Sequence, residues 1–295
     1  MIVVKLGKTN PPLRLSILPL NDIKPHESII TRELAVLTRD MERTGFQRDP
    51  ILIDSKTHVA LDGMHRRAAL ESLGARNALC AEYDYFDDEI KLERWLRYII
   101  APSKHLLDFV VEHFNMEACR NTHVAILRVD GGKSGISLLS SKESFASKER
   151  RIPISNSRIL AIYEDIREFD EFCNKAKVEI DFVGESEKRQ LYSSRSVYVL
   201  YPAPLEKKEI LDFALRGEVL PFKTTRHIVP VRPMGIYFPL EDLRKSSLSD
   251  CNRTLDKIVG LSTIKMERRH VWYEGRRYSE PLAVFRRNHE AVSSK

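Results

Sequence analysis

Apolar and polar residues follow two rhythms along the first ninety positions of the chain. Leu13, Leu15 and Ile17 alternate with Arg14 and Ser16, the period of two that turns one face of a strand toward a core. Ile30, Leu34, Leu37 and Met41 recur at helical spacing, and Gly45 follows as the residue that ends such a helix. Between them Asn21-Asp22-Ile23-Lys24-Pro25-His26-Glu27 reads as an irregular connection. Arg48-Asp49-Pro50 leads into the apolar run Ile51-Leu52-Ile53, and Val59-Ala60-Leu61 follows a polar turn as its hairpin partner. That run stops at Asp62-Gly63, and the helix-forming stretch Met64-His65-Arg66-Arg67-Ala68-Ala69-Leu70 begins at once. The pattern predicts a compact α/β unit.

The junction at Asp62-Gly63 is a candidate phosphate seat. A glycine there lets the backbone approach a ligand, the first helical N–H groups lack intrahelical partners, and the helix dipole adds partial positive charge. His65 and Arg66 supply side-chain donors, and the arginine fork matches phosphate geometry. The same residues also make an ordinary tight connection, with Asp62 as N-cap and Gly74 closing the far end. Arg67 is expected to point elsewhere on the helix, into solvent.

Further along, the pattern predicts helices over 105–119, 157–172 and 205–216 and a strand over 197–201. Residues 123–129 and 136–139 read as strands joined by a turn at Gly131-Gly132-Lys133-Ser134. That tetrapeptide looks like the end of a P-loop, but the first glycine of the motif would fall at Leu127. Residues 140–151, rich in serine and lysine, predict a mobile loop. We expect a smaller domain over 1–88 and a larger mixed α/β domain over 89–295.

Composition narrows the partners. With 295 residues, 42% hydrophobic and 31% charged, the chain reads as a soluble globular protein, and it has no apolar stretch long enough to cross a bilayer. Met1-Ile2-Val3-Val4-Lys5 lacks a signal-peptide pattern, so a cytoplasmic location and no membrane partner are expected. Cys80, Cys119, Cys173 and Cys251 are far apart and read as reduced thiols. The net charge of +6 is concentrated late, since residues 251–295 hold ten Lys and Arg against five Asp and Glu. There Arg268-Arg269-His270-Val271-Trp272-Tyr273 and Arg276-Arg277-Tyr278 interleave bases with aromatics, which suits nucleic acid or a hairpin turning at Glu274-Gly275. The run is short and carries no known nucleic-acid motif, which favours the hairpin.

Lys24-Pro25-His26-Glu27, Gly45-Phe46-Gln47-Arg48-Asp49-Pro50 and Asp62-Gly63-Met64-His65-Arg66 together resemble the ParB/sulfiredoxin superfamily. Sulfiredoxins carry a nucleophilic cysteine at the turn. Met64 stands in its place here, and a thioether cannot act as that thiolate. ParB-type proteins show a glutamate after the glycine and a helix-turn-helix domain downstream, and neither is found. The free L-serine kinases are more similar, sharing the Asp-Gly-x-His-Arg turn and a glutamate after the first strand. They also resemble the chain at Lys223-Thr224-Thr225-Arg226-His227, Val231-Arg232-Pro233 and Phe238-Pro239-Leu240-Glu241-Asp242-Leu243. The resemblance spans roughly residues 12–245.

That resemblance implies a ParB/sulfiredoxin-like N-terminal domain, a larger α/β domain, and a site in the cleft between them. It implies transfer of a phosphoryl group from ATP or ADP to free L-serine, with Mg²⁺ as cofactor and O-phospho-L-serine as product. Glu27 would be the general base, or else a loop glutamate capping the helix that follows. Asp62, Gly63, Met64, His65 and Arg66 would bind the nucleotide. Asp62 would also organise Mg²⁺, or else cap its helix. Thr225, Arg226 and His227 would bind the substrate, or form a basic turn between strands. Trp95 would line the pocket or sit in the core. A downstream enzyme that uses phosphoserine is the implied partner. The alternative reading is a nucleotide-dependent DNA-binding regulator.

Overall fold

The computed structural model describes residues 1–7, 10–100, 102–148, 156–186 and 197–287. The chain forms two compact units: one of Met1–Lys91, Ala214–Val219 and His227–Lys295, the other of Leu92–Phe213 and Leu220–Arg226. These are not the consecutive segments 1–88 and 89–295 expected from the sequence, because the chain returns to its first unit after leaving it.

The first unit opens with β1 (Ile2–Val4) and β2 (Leu13–Pro19), followed by α1 (Thr31–Thr44), β3 (Phe46–Gln47), β4 (Ile51–Asp54), β5 (Ala60–Asp62), α2 (Met64–Ser72) and β6 (Asn77–Tyr83). A five-stranded sheet runs in the order β1-β2-β6-β4-β5, parallel only between β4 and β6. Leu13, Leu15 and Ile17 are buried as their alternation predicts, and β4 is buried along its whole length. Gly45 closes α1 in the left-handed conformation, its N–H bonded to the Met41 carbonyl at 2.9 Å. The carboxamide of Gln47 extends the sheet, exchanging two 2.8 Å hydrogen bonds with the Leu79 backbone.

The second unit contains β7 (Lys91–Ile100), α3 (Lys104–His113), β8 (Met116–Cys119), α4 (Thr122–Asp130), β9 (Ile136–Leu139), β10 (Ser144–Ser147), α5 (Asn156–Lys175), β11 (Ile180–Gly184), β12 (Val197–Pro202), α6 (Lys207–Leu215) and β13 (Thr225–Ile228). Its sheet runs β11-β7-β12-β9-β10-β8, with β13 also on β7. Helix α6 and strand β13 each cross a unit boundary.

Three expectations need correction here. Residues 123–129 are helical, because the Asn121 side-chain amide oxygen accepts the Val124 N–H at 2.9 Å as an N-cap and Ala125 and Val129, four apart, are both buried. The Gly131–Ser134 segment is consequently the turn that follows α4 and leads into β9, not a turn between two strands. Residues 105–119 are not one helix: α3 stops before Asn115, whose positive φ of 46° turns the chain into β8. Of the expected loop 140–151, residues 144–147 form a strand and 149–151 lie outside the described residues.

The returning segment adds β14 (Arg232–Met234), β15 (Phe238–Pro239), α7 (Leu240–Lys245), α8 (Leu248–Gly260), β16 (Ser262–Glu267), β17 (Val271–Tyr273), β18 (Arg276–Tyr278) and β19 (Leu282–Arg287). Strand β15 pairs with β3, α8 packs on β2 and α7 on β6, which buries Leu240, Leu243, Leu255 and Phe238. Burial of these side chains is the physical reason the C-terminal segment joins the first unit. Strands β14, β19 and β16 make a separate small sheet, and β17 and β18 form the hairpin expected at Glu274-Gly275. Among the described residues no helix is long and apolar enough to cross a membrane.

Candidate active site

The connection that carries Glu27 is stitched to the strand and turn that carry Asp62. Lys24 donates its N–H to the His58 carbonyl at 3.1 Å and its carbonyl accepts the Ala60 N–H at 2.8 Å. His26 Nδ1 meets the Ala60 carbonyl at 2.5 Å, and the Ile30 N–H donates to His65 Nε2 at 3.0 Å. Residues 24–30 therefore run beside 58–65, and buried Glu27 is fixed alongside the turn. Helix α1 begins at Thr31, with Ile30 in the N-cap position.

At the turn itself Gly63 adopts φ +104°, and a Cβ there would lie 2.9 Å from Arg66 Nη2. The glycine thus serves both the left-handed turn and the passage of the arginine across it. Arg66 Nε is buried without a hydrogen-bond partner, and Nη2 lies 3.9 Å from Asp62 Oδ1. Gly63, not Asp62, is the N-cap of α2, and Asp62 is instead ion-paired through Oδ2 with Arg232. Arg232 also holds Glu280, Nε to Oε1 at 2.6 Å. Burial would raise the Asp62 carboxyl, but Arg232, Arg66 and Arg276 together hold it well below the usual carboxylate range. Arg67, expected in solvent, donates to the Ile23 carbonyl at 2.8 Å and so braces the same connection.

Two imidazoles lie behind the turn. His26 is fully buried, 3.8 Å from the Glu27 carboxylate and edge-on to His227 at 5.3 Å between ring centroids. A carbonyl can only accept, so His26 carries its proton on Nδ1. His227 Nε2 meets the Tyr85 hydroxyl at 2.7 Å. Its Nδ1 makes no hydrogen bond of good geometry, although the Leu61 backbone favours its protonated form. Burial lowers both histidines, His227 strongly, with His26 reinforcing the effect. Burial likewise pushes the Tyr85 phenol up, so it remains a hydroxyl. Asp54 fixes Tyr85 by accepting its backbone N–H at 3.1 Å.

In the second unit, alternation along β7 places Glu93, Trp95 and Arg97 on one face. Half-buried Trp95 lies under two cations, Lys223 Nζ at 4.4 Å and Arg226 Cζ at 5.0 Å from the ring centroid. Arg226 is buried, 3.7 Å from Glu93, whose carboxyl burial raises and Arg226 lowers. Arg97 is fully buried, paired with Asp170 at 2.7 Å, and donates to the Lys223 carbonyl at 2.9 Å. It thereby fixes the segment that leads to buried Thr225 and Arg226. Gly184 makes room for Arg226, since a Cβ there would fall 2.6 Å from the guanidinium carbon.

The structure thus groups Glu27, Asp62, Gly63, Met64, His65, Arg66 and His227 in the first unit, and Trp95, Thr225 and Arg226 in the second. The sequence reading assigned no role to His26, Tyr85, Arg232, Glu280, Glu93 or Gly184. Arg232 stands within a quoted motif, and His26 precedes Glu27, but none of these six carries a local signal of its task.

The sheet and its Glu27 and Asp62 segments place the protein in the ParB/sulfiredoxin-like α/β class expected from its motifs. A solved free serine kinase in complex with AMP has the same fold at a TM-score of 0.64 and 25% identity, covering 80% of this chain and 97% of that one. Among curated proteins the chain is similar to the ATP-dependent L-serine kinase of Staphylothermus marinus, 26% identical over 260 residues, 82% of this chain and 98% of the relative. It is also similar to the ADP-dependent L-serine kinase of Thermococcus kodakarensis, 28% identical over 237 residues, 76% and 90% of the two chains. No family model matches the chain.

Proposed function

We propose that the protein phosphorylates free L-serine, taking the phosphoryl group from ATP or ADP and releasing O-phospho-L-serine. The observation that carries this reading is the stitching of the Glu27 connection to the Asp62–Arg66 turn, which sets a buried carboxylate beside a cationic helix start. Phosphoryl transfer to an alcohol asks for a base near the hydroxyl and for donors around the phosphate oxygens. Glu27 takes the serine hydroxyl proton as the Oγ–P bond forms. The bond from phosphorus to the bridging oxygen breaks, and that oxygen leaves on ADP or AMP. The backbone of α2, with Arg66 and His65, holds the phosphates.

Asp62 Oδ2 is taken by Arg232, whereas Oδ1, with Arg66 Nη2 at 3.9 Å, makes no hydrogen bond among the described residues. That oxygen fits a Mg²⁺ ion that arrives with the nucleotide, because Mg²⁺ is commonly bound by one or two carboxylates plus phosphate oxygens and water. Mg²⁺ bound there would neutralise phosphate charge. Arg226 and Thr225 recognise the serine carboxylate, with Trp95 beside them and His227 held in place by Tyr85.

Phosphorus NMR of the purified protein with Mg²⁺, L-serine and either ATP or ADP tests the reading. A serine-dependent phosphomonoester matching authentic O-phosphoserine is expected with one donor. No such signal with either donor, across several hydroxy amino acids, would overturn it.

A further inference from the structure

The β17–β18 hairpin lies beyond the stretch that resembles the serine kinases, yet it packs into the first unit beside the turn. Its loop is two residues long, Glu274 at φ +48° and Gly275 at φ +75°, the left-handed pair that a tight hairpin requires. Glu274 is ion-paired with Arg48, which ties the tip down. In the register Val271↔Tyr278 and Tyr273↔Arg276, these four residues share one face of the ribbon. Val271 and Tyr273 pack on the cluster of Met234, Tyr278, Leu282 and Val284, so this face is turned inward. Trp272 and Arg277 share the other face, and Trp272 is 71% exposed.

The inward face leads to the turn through direct contacts. Arg276 Cζ lies 5.2 Å from the Tyr278 ring centroid and Arg232 Cζ lies 5.7 Å from the same ring. Arg232 in turn pairs with Asp62, which Arg66 approaches. Two guanidiniums, Arg232 and Arg66, thus approach the Asp62 carboxylate, and a third, Arg276, shares the Tyr278 ring with Arg232 and is close enough to lower the same carboxyl electrostatically. Glu280 balances Arg232, and Asp62 can balance one more charge, so the group retains one excess positive charge. Among the described residues, Arg66 and Arg276 also keep hydrogen-bond donors that no carboxylate accepts: Arg66 Nε is buried without a partner, and exposed Arg276 lies against an aromatic ring and forms no ion pair. A cluster with surplus charge and unspent donors suits an anion with several oxygens.

We propose that Arg276 is a phosphate-binding residue for the nucleotide donor, brought to the Asp62–Arg66 turn by the C-terminal hairpin. The proposal rests on the reading that this turn binds the donor's phosphates. Arg276 is exposed, lies against the Tyr278 ring and feels the Asp62 charge, and among the described residues it has no ion pair to break when it meets the phosphates. It strengthens donor binding and leaves serine recognition to other residues.

The test measures binding of ADP and ATP by calorimetry, and steady-state kinetics with the donor that is turned over, for the wild type and for Arg276→Gln, Arg276→Lys and Trp272→Ala. Loss of one charge-assisted contact is expected to weaken donor binding about tenfold in Arg276→Gln. Arg276→Lys should recover part of that loss, with serine KM within about twofold of wild type throughout. Trp272→Ala, on the opposite face, should bind as wild type does. If Arg276→Gln binds both nucleotides as tightly as an active wild type, the inference is wrong and the kinase reading stands. If the wild type itself neither binds nucleotide nor phosphorylates serine, the kinase reading fails and this inference with it.

Discussion

Arg232 and Glu280 form an ion pair almost wholly shut off from water, Nε to Oε1 at 2.6 Å with side chains 6% and 4% exposed. The pair connects the site to the C-terminal segment, because the same guanidinium holds Asp62. Removing one partner of a buried pair leaves an uncompensated charge, which costs about 3–5 kcal/mol. Asp62 still offsets part of the Arg232 charge, so Glu280→Ala should lose about 3 kcal/mol of unfolding free energy in urea titrations. A loss below about 1 kcal/mol would show that water reaches the pair.

Glu27→Gln keeps the shape of the side chain and removes its capacity to accept the serine proton. General-base catalysis typically contributes a factor of about 10²–10⁴, so kcat should fall by at least that much. Donor affinity should change little, because phosphate binding is assigned to the turn. Retention of most of the turnover by this variant would remove Glu27 from the role of base.

Gly184 has no chemistry of its own, but it sets the position of Arg226. A methyl group at Gly184 would overlap the guanidinium, which must then leave its place near Trp95 and Glu93. Gly184→Ala and Arg226→Ala should therefore raise serine KM in the same direction, by about tenfold or more, with donor KM close to wild type. An unchanged serine KM in Arg226→Ala would show that the arginine does not bind the substrate.

What was legible in the sequence was local or carried by motif. The alternation at Leu13–Ile17, the left-handed cap at Gly45 and the glycine of the 62–66 turn each act within a few residues, and each stands where the pattern placed it. Residues 123–129 resemble a strand in sequence because apolar residues four apart also fit alternation, and the Asn121 cap decides for a helix. Arg232 with Glu280, Tyr85 with His227, and Gly184 with Arg226 join residues 42 to 142 positions apart, so no window along the chain could link them. The return of residues 227–295 to the first unit was hidden for the same reason. It depends on the fit of α7, α8 and β15 against strands laid down two hundred residues earlier.

The buried imidazoles set a pH dependence whose sign can be worked out. His26 and His227 are both lowered from about 6.5 by burial, so the unfolded chain takes up protons before the folded one does. Stability rises with pH wherever the unfolded state binds more protons. It should therefore be intact above pH 7 and fall as the solution is acidified through 6.5 toward the lowered folded values. Each histidine contributes a slope of about 1.4 kcal/mol per pH unit at most. Asp62 acts in a separate window, because a depressed carboxyl loses its contribution only below about pH 4. Urea titrations at pH 7.5, 6.0 and 5.0 should show a steep decline between the last two, reduced in Tyr85→Phe only if the phenol supports neutral His227. A flat profile would mean that both rings accept protons in the folded protein as readily as in the unfolded chain.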